Sequence, residues 1–376
     1  MKKFKHTIMA LLFTAAATAG MAQNNTRKWF NPEKAGVPVV EGRLWQTDLD
    51  QFYDRLPAKA IGVVRPEVMN LARNSAGNYL RFTTDAKSIV VRYQVKGALN
   101  MPHMPTMGVS GVDLYALDEK NNWQWVRGRY SFGDTVRFEF AGIDPSVKIR
   151  EFRLYLPLYN TVSWLELGVN EGQSFQWVEA TKEPPILLYG TSILQGGCAT
   201  RPGLAWTNIL GRKINQPLIN LGFSGNGRME KELIDMFAVF PLKMVVLDCM
   251  PNLSDTTRYP EAELWKRYQY AVDKIRQHNP DIPIIFTEHC CGYQGMNLDM
   301  SQINPYRYGS QLVSKFYNQF KAKGVKNIYL LTDVDINFNT ESTIDGTHPN
   351  DIGMMQYAVA YEKLIRSILK KEGKRR

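Results

Sequence analysis

From Pro184 to the C-terminus, short apolar runs alternate with amphipathic stretches, and this alternation constrains the fold more than any other feature of the chain. The apolar runs are 186–189, 218–221, 244–249, 282–287 and 328–331. Between them lie "LAWTNILGRKI", "MEKELIDMFAVF", "AELWKRYQYAVDKIRQHN" and "YGSQLVSKFYNQFKAKG", and a last stretch around "GMMQYAVAYEKLIRSILKK" closes the chain; all carry apolar residues at helical spacing. Strands separated by helices pair in parallel, so the expectation for 184–376 is a doubly wound α/β domain with helices on both faces of one parallel sheet.

The first half has another texture. "YLRFTTDAKSIVVRYQVKG" and "TVRFEFAGIDPSVKIREFRLYLPLY" alternate apolar and polar residues in short runs broken by Asp, Gly and Pro. That pattern predicts an all-β jelly-roll or sandwich domain over 24–181. The charged, proline-containing "VEATKEPPI" is the expected boundary, and 376 residues are more than one core comfortably holds.

Ahead of both, "MKKFKHTIMALLFTAAATAGMAQNN" has a basic start, an apolar stretch from Ile8 to Ala17 and small residues up to Ala22. It reads as a signal peptide over 1–22, too short to span a bilayer, so the mature chain is expected in the periplasm or outside the cell without stable membrane insertion. Losing Lys2, Lys3 and Lys5 takes the formal charge from +10 to +7. The remaining excess is spread along the chain, which argues against a nucleic-acid partner. Cys198, Cys249, Cys290 and Cys291 match neither a disulfide scaffold nor a zinc site and are expected as free core residues.

In an open parallel sheet the chemistry gathers beyond the carboxyl ends of the strands. Gly190-Thr191-Ser192 follows the first apolar run, Ser224-Gly225-Asn226 the second, Asn252 the third, and Asp345 and His348 follow the last. Singly these are ordinary turn or capping residues. Together they supply an acyl-transfer site: a serine exposed at a strand-to-helix turn, an imidazole to accept its proton, and a carboxylate to orient that imidazole. The Ser192 N–H, the Gly225 N–H and the Asn252 amide can serve as oxyanion donors.

Besides His348, the mature chain holds His103, His278 and His289. His103 belongs to the β-domain and His278 to a solvated helix end. His289 follows the fourth run beside Glu288; neighbours on a strand face opposite ways, so the two should not act as a dyad. His289 and Asn226 are expected to line the cleft.

The ordered set Gly-x-Ser, Ser-Gly-Asn, Pro-Asn and Asp-x-x-His resembles the SGNH, or GDSL, hydrolase superfamily. The resemblance implies a flavodoxin-like sheet, Ser192 as nucleophile, Asp345 and His348 completing its triad, and Ser192, Gly225 and Asn252 as the oxyanion hole. Thr191 stands where the first motif usually has Asp, and Met250-Pro251 replaces the usual small residues before Asn252. "GVDLY", from Gly111 to Tyr115, resembles the Gly-x-Asp-Leu-Tyr module that precedes such domains.

Within that motif Asp113 and Tyr115 share the strand face opposite Val112 and Leu114. A carboxylate there needs a polar neighbour, either at the domain interface or as a substrate-binding group in the cleft. Trp123 and Trp125 also share a face and could stack on sugar rings. The loops after the strands are small and polar, suiting a shallow, wet site. The expected function is therefore a secreted serine esterase acting on short acyl esters, acetyl groups on carbohydrate above all. The alternatives are a lysophospholipase-type acylhydrolase and a non-catalytic glycan-binding protein on the same fold. No metal or organic cofactor is implied.

Overall fold

The computed structural model describes residues 26–289 and 299–373. The expected signal peptide, Cys290 and Cys291 lie outside them. In the C-terminal half five parallel strands, Ile186–Gly190, Leu218–Gly222, Met244–Asp248, Ile284–Thr287 and Ile328–Leu331, form one sheet. Their spatial order is second, first, third, fourth, fifth, the flavodoxin-like winding. The first three are buried along their whole length, which is why they read as continuous apolar runs. Two apolar cores cover the two faces. One is closed by the helices Lys231–Ala238, Glu261–His278 and Met300–Ala322, the other by Trp206–Ile214 and Asp351–Gly373.

Ahead of this sheet two antiparallel sheets face each other. One orders the strands Arg27–Phe30, Val162–Asn170, Ser88–Val95, Val136–Ala141 and Arg129–Ser131. The other orders Phe175–Trp177, Tyr79–Thr84, Ile149–Tyr155, Asp113–Asp118 and Trp123–Val126. Val112, Leu114, Phe82, Phe138 and Leu167 fill the space between them, and Tyr115 points out of the sandwich to meet Tyr79 and Tyr155.

One part of the N-terminal half departs from the expected all-β reading. Residues 42–78 leave the sandwich, form the helix Pro66–Ala72, and place Trp45, Leu56, Val64, Val68 and Met69 in a core of the parallel-sheet domain. Their anchor is Arg55, fully buried and bonded only to carbonyls: Asn74 (2.8 Å), Leu71 (2.8 Å), Asn220 (3.1 Å) and Gly222 (2.9 Å). Burial lowers its guanidinium to about 9. Two of those carbonyls belong to the edge strand Leu218–Gly222, whose open side would otherwise present unpaired backbone groups.

Candidate active site

The strand Ile186–Gly190 ends at Thr191, and a single helical turn, Ser192–Gln195, follows before Gly196 stops it in the left-handed region. One turn is too short for a sizeable dipole, so what it offers near Ser192 is individual N–H groups. Ser192 Oγ lies 2.8 Å from His348 Nε2, and His348 Nδ1 lies 2.7 Å from Asp345 Oδ2. Partial burial pushes the Asp345 carboxyl up, but hydrogen bonds from the His348 ring and from the backbone N–H groups of His348 and Thr347 outweigh it. They leave Asp345 well below the usual carboxylate range, ionised and able to hold the ring in one tautomer.

Ser192 is only 6% exposed, which corrects the expectation of an open turn. The cover comes from the N-terminal half: the Tyr159 hydroxyl donates to the Ser192 carbonyl at 3.3 Å. Gln195 Nε2 donates to the Leu158 carbonyl (3.2 Å) and to Asn74 Oδ1 (3.3 Å), while its oxygen accepts the Ser224 N–H at 2.9 Å. The Ser192 turn, the sandwich and the loop after the second parallel strand are thereby tied together.

That loop is shaped by positive φ angles. Gly225 sits at φ +66°, and at Gly227 a Cβ would collide with the Gly190 carbonyl. Neither the Ser192 N–H nor the Gly225 N–H bonds to any of the described residues, so both remain available to a ligand oxygen. Asn252 spends one amide N–H on the Asn226 carbonyl at 2.7 Å, and its second N–H bonds to none of the described residues. The Asn226 side chain is occupied, donating to the Ser224 carbonyl (2.9 Å) and accepting from Arg65 (2.5 Å), which also pairs with Glu230 at 2.6 Å. Asn226 thus braces the loop.

His289, by contrast, is corrected from its expected cleft-lining place. It is fully buried, its ring 3.9 Å from that of Tyr306, whose hydroxyl bonds Thr347 Oγ1 at 2.8 Å. It backs the histidine loop through Tyr306 and presents no surface to a cleft. Glu288 turns elsewhere, to Ser314 and to the Asp333 N–H (3.0 Å). Of the cysteines, Cys198 and Cys249 are free and buried.

Asp113 lies in the domain interface, not in the cleft. It accepts the Trp125 indole N–H (2.7 Å) and the Gly203 N–H (2.9 Å), and pairs with Arg201, which also donates to the Tyr115 hydroxyl at 2.8 Å. Burial pushes its carboxyl up, against the pull of Arg201, Trp125 and Gly203. The Arg201 guanidinium covers the Trp125 ring at 4.6 Å and Arg153 covers Trp123 at 4.2 Å, so both indoles have a cation on one face.

Sequence reasoning missed Arg55, Arg65 and Tyr159, which come from irregular segments without a motif. It also set aside His103, whose ring stands 6.0 Å from that of His348 at a tilt of 36°. The brackets of "MPHMP" were the available signal.

The fold class these features define is an SGNH-type α/β domain behind a β-sandwich module. Residues 183–366 match the GDSL-like lipase/acylhydrolase family, and residues 27–175 match the GxDLY N-terminus of SGNH-hydrolase-type esterases. A structure assigned as a GDSL-like lipase from Bacteroides ovatus is 30% identical, with TM-score 0.80 over 92% of this chain and 98% of that one. The salicylyl-acyltransferase SsfX3 of a tetracycline pathway follows at 17% identity and TM-score 0.69, covering 91% and 97% of the two chains. The acetyl xylan esterase Est2A of Butyrivibrio proteoclasticus shares the fold at 10% identity and TM-score 0.52, covering 91% and 99%. No curated protein sequence matches. The chain belongs to the GDSL-like lipase/acylhydrolase family, with the GxDLY module at its N-terminus.

Proposed function

We propose that this esterase is exported and removes short acyl groups, acetyl above all, from carbohydrate by a Ser192–His348–Asp345 triad. The observation that carries the reading is the continuous hydrogen-bonded chain from Ser192 Oγ through both nitrogens of His348 to Asp345. His348 Nε2 takes the Ser192 proton as Oγ attacks the ester carbonyl. The Ser192 N–H, the Gly225 N–H and the second N–H of Asn252 receive the oxyanion. The proton then passes from Nε2 to the leaving alcohol oxygen as the C–O bond breaks, and a water deprotonated by the same nitrogen releases the acid.

The segments that follow the parallel strands, such as "SGNGR" and "DGTHPND", are small and polar, which suits a small, wet substrate. Among the described residues no helix is long and apolar enough to cross a membrane. Export rests on the N-terminal 22 residues of the sequence.

A panel of 4-nitrophenyl esters tests the proposal. In a true acyl groove each buried methylene adds roughly 0.8 kcal/mol, so a lipid hydrolase should improve steeply with chain length. The expected order is acetate above butyrate, with octanoate nearly inert and all turnover lost in Ser192→Ala. A maximum at octanoate points to the lipid reading, and no turnover of any ester points to a binding protein.

A further inference from the structure

Between the strands Ser88–Val95 and Asp113–Asp118 the chain leaves the sandwich and makes a tight turn, Met101-Pro102-His103-Met104. The turn is closed at both ends: the Met101 N–H donates to the Met104 carbonyl (3.2 Å) and the Met104 N–H to the Met101 carbonyl (3.1 Å). Pro102 occupies the position where its fixed φ favours the turn. Both methionines belong to the apolar cluster that also holds Ile193, Leu194 and Cys198 from the segment after Ser192, Met104 buried within it and Met101 packed against it. The helix Thr106–Ser110 then lies so close to Ala199 that a Cβ on Gly108 would strike its carbonyl.

The N-terminal module therefore plants a rigid turn on the nucleophile segment and carries His103 at its tip. That imidazole is exposed, bonds to none of the described residues, and stands against the ring of His348. Position gives it meaning. His348 Nε2 must return its proton to the leaving oxygen, so the alcohol half of the ester sits on the histidine side, away from the oxyanion donors. An alcohol leaving past His348 passes His103, and a neutral imidazole both donates and accepts a hydrogen bond.

We propose that His103 forms the leaving-group subsite and selects esters whose alcohol carries a further hydroxyl beside the scissile oxygen, the arrangement of a partly acylated sugar. This rests on the esterase reading above, whose triad supplies the direction of departure. It makes the module a contributor to substrate choice as well as a brace.

The test compares kcat/KM for a mono-O-acetylated methyl glucoside with that for cyclohexyl acetate, a ring of like size without hydroxyls. One hydrogen bond of ordinary strength corresponds to about a tenfold effect, so in His103→Ala the glucoside-to-cyclohexyl ratio should fall about tenfold. His103→Gln, which keeps a donor and an acceptor, should recover most of it. A purely positioning role would lower both substrates in proportion and leave the ratio unchanged, which overturns the proposal. Wild-type enzyme that hydrolyses cyclohexyl acetate but not the glucoside overturns it too, while leaving the esterase reading in place. Turnover of neither ester overturns both.

Discussion

Asp345 shows how little sequence a functional contact can need. Its carboxylate accepts from the Thr347 N–H (2.9 Å), the His348 N–H (2.8 Å) and the His348 ring (2.7 Å), all inside one four-residue loop. Because the spacing itself closes the contact, Asp-x-x-His was legible without a fold. An amide at 345 could still accept both backbone N–H groups but would present no charge to the imidazolium. Asp345→Asn should therefore keep the fold, by circular dichroism, and lower kcat on the order of a thousandfold or more; a loss below about tenfold would remove Asp345 from the triad. The sign of the pH effect follows from a carboxyl held below its ordinary range: its stabilisation is present at neutral pH and is lost only as pH falls through that depressed value. His103 illustrates the opposite case. It lies 245 positions before His348 in the chain, and only the packing of Met101 and Met104 brings the two rings together.

The parallel strands were legible because burial on both faces forces unbroken apolar runs. Their edges shifted where proline intervened. The fourth strand begins at Ile284, since Pro283 has no N–H for a ladder, and the helix expected from Tyr308 begins at Met300 with Pro305 inside it. The third strand ends in a buried group that periodicity could not flag. Asp248 stands beside Gly190 in the sheet register and accepts from Tyr361 at 3.1 Å, while the Tyr361 hydroxyl also meets Thr287 at 2.7 Å. Burial raises its carboxyl to about 7, against the pull of the Tyr361 bond. A raised folded value means that its contribution is full in acid and is lost as pH rises toward 7. Asp248→Asn removes that titration, so the Tm of the variant relative to wild type should climb from about pH 4 to about pH 7 and level off above it. A difference independent of pH would show that Asp248 does not titrate there.

The two halves share one site. Arg55 holds the edge strand, Arg65 braces the Gly225 loop, Tyr159 covers the Ser192 turn, and Asp113 grips Arg201. The 42–78 excursion was illegible because neither a two-residue nor a helical period runs through "RLWQTDLDQFYDRLPAKAIGVV"; its apolar residues are divided, Trp45, Leu56, Ala60 and Val64 going to the parallel-sheet core while Phe52 and Tyr53 go to the sandwich. Asp113 was legible as a question, a carboxylate on a strand, though not as an answer. With three partners bound to it, Asp113→Ala should cost about 2–3 kcal/mol in denaturant unfolding. A change under about 0.5 kcal/mol would return Asp113 to an ordinary surface position. The central claim, that this assembly activates Ser192, is tested most directly by covalent capture. A fluorophosphonate ester should add one phosphonyl group, located by peptide mass to Ser192, and the addition should slow on the order of a thousandfold in His348→Ala. Labelling at another residue, or an unchanged rate in the variant, would contradict it.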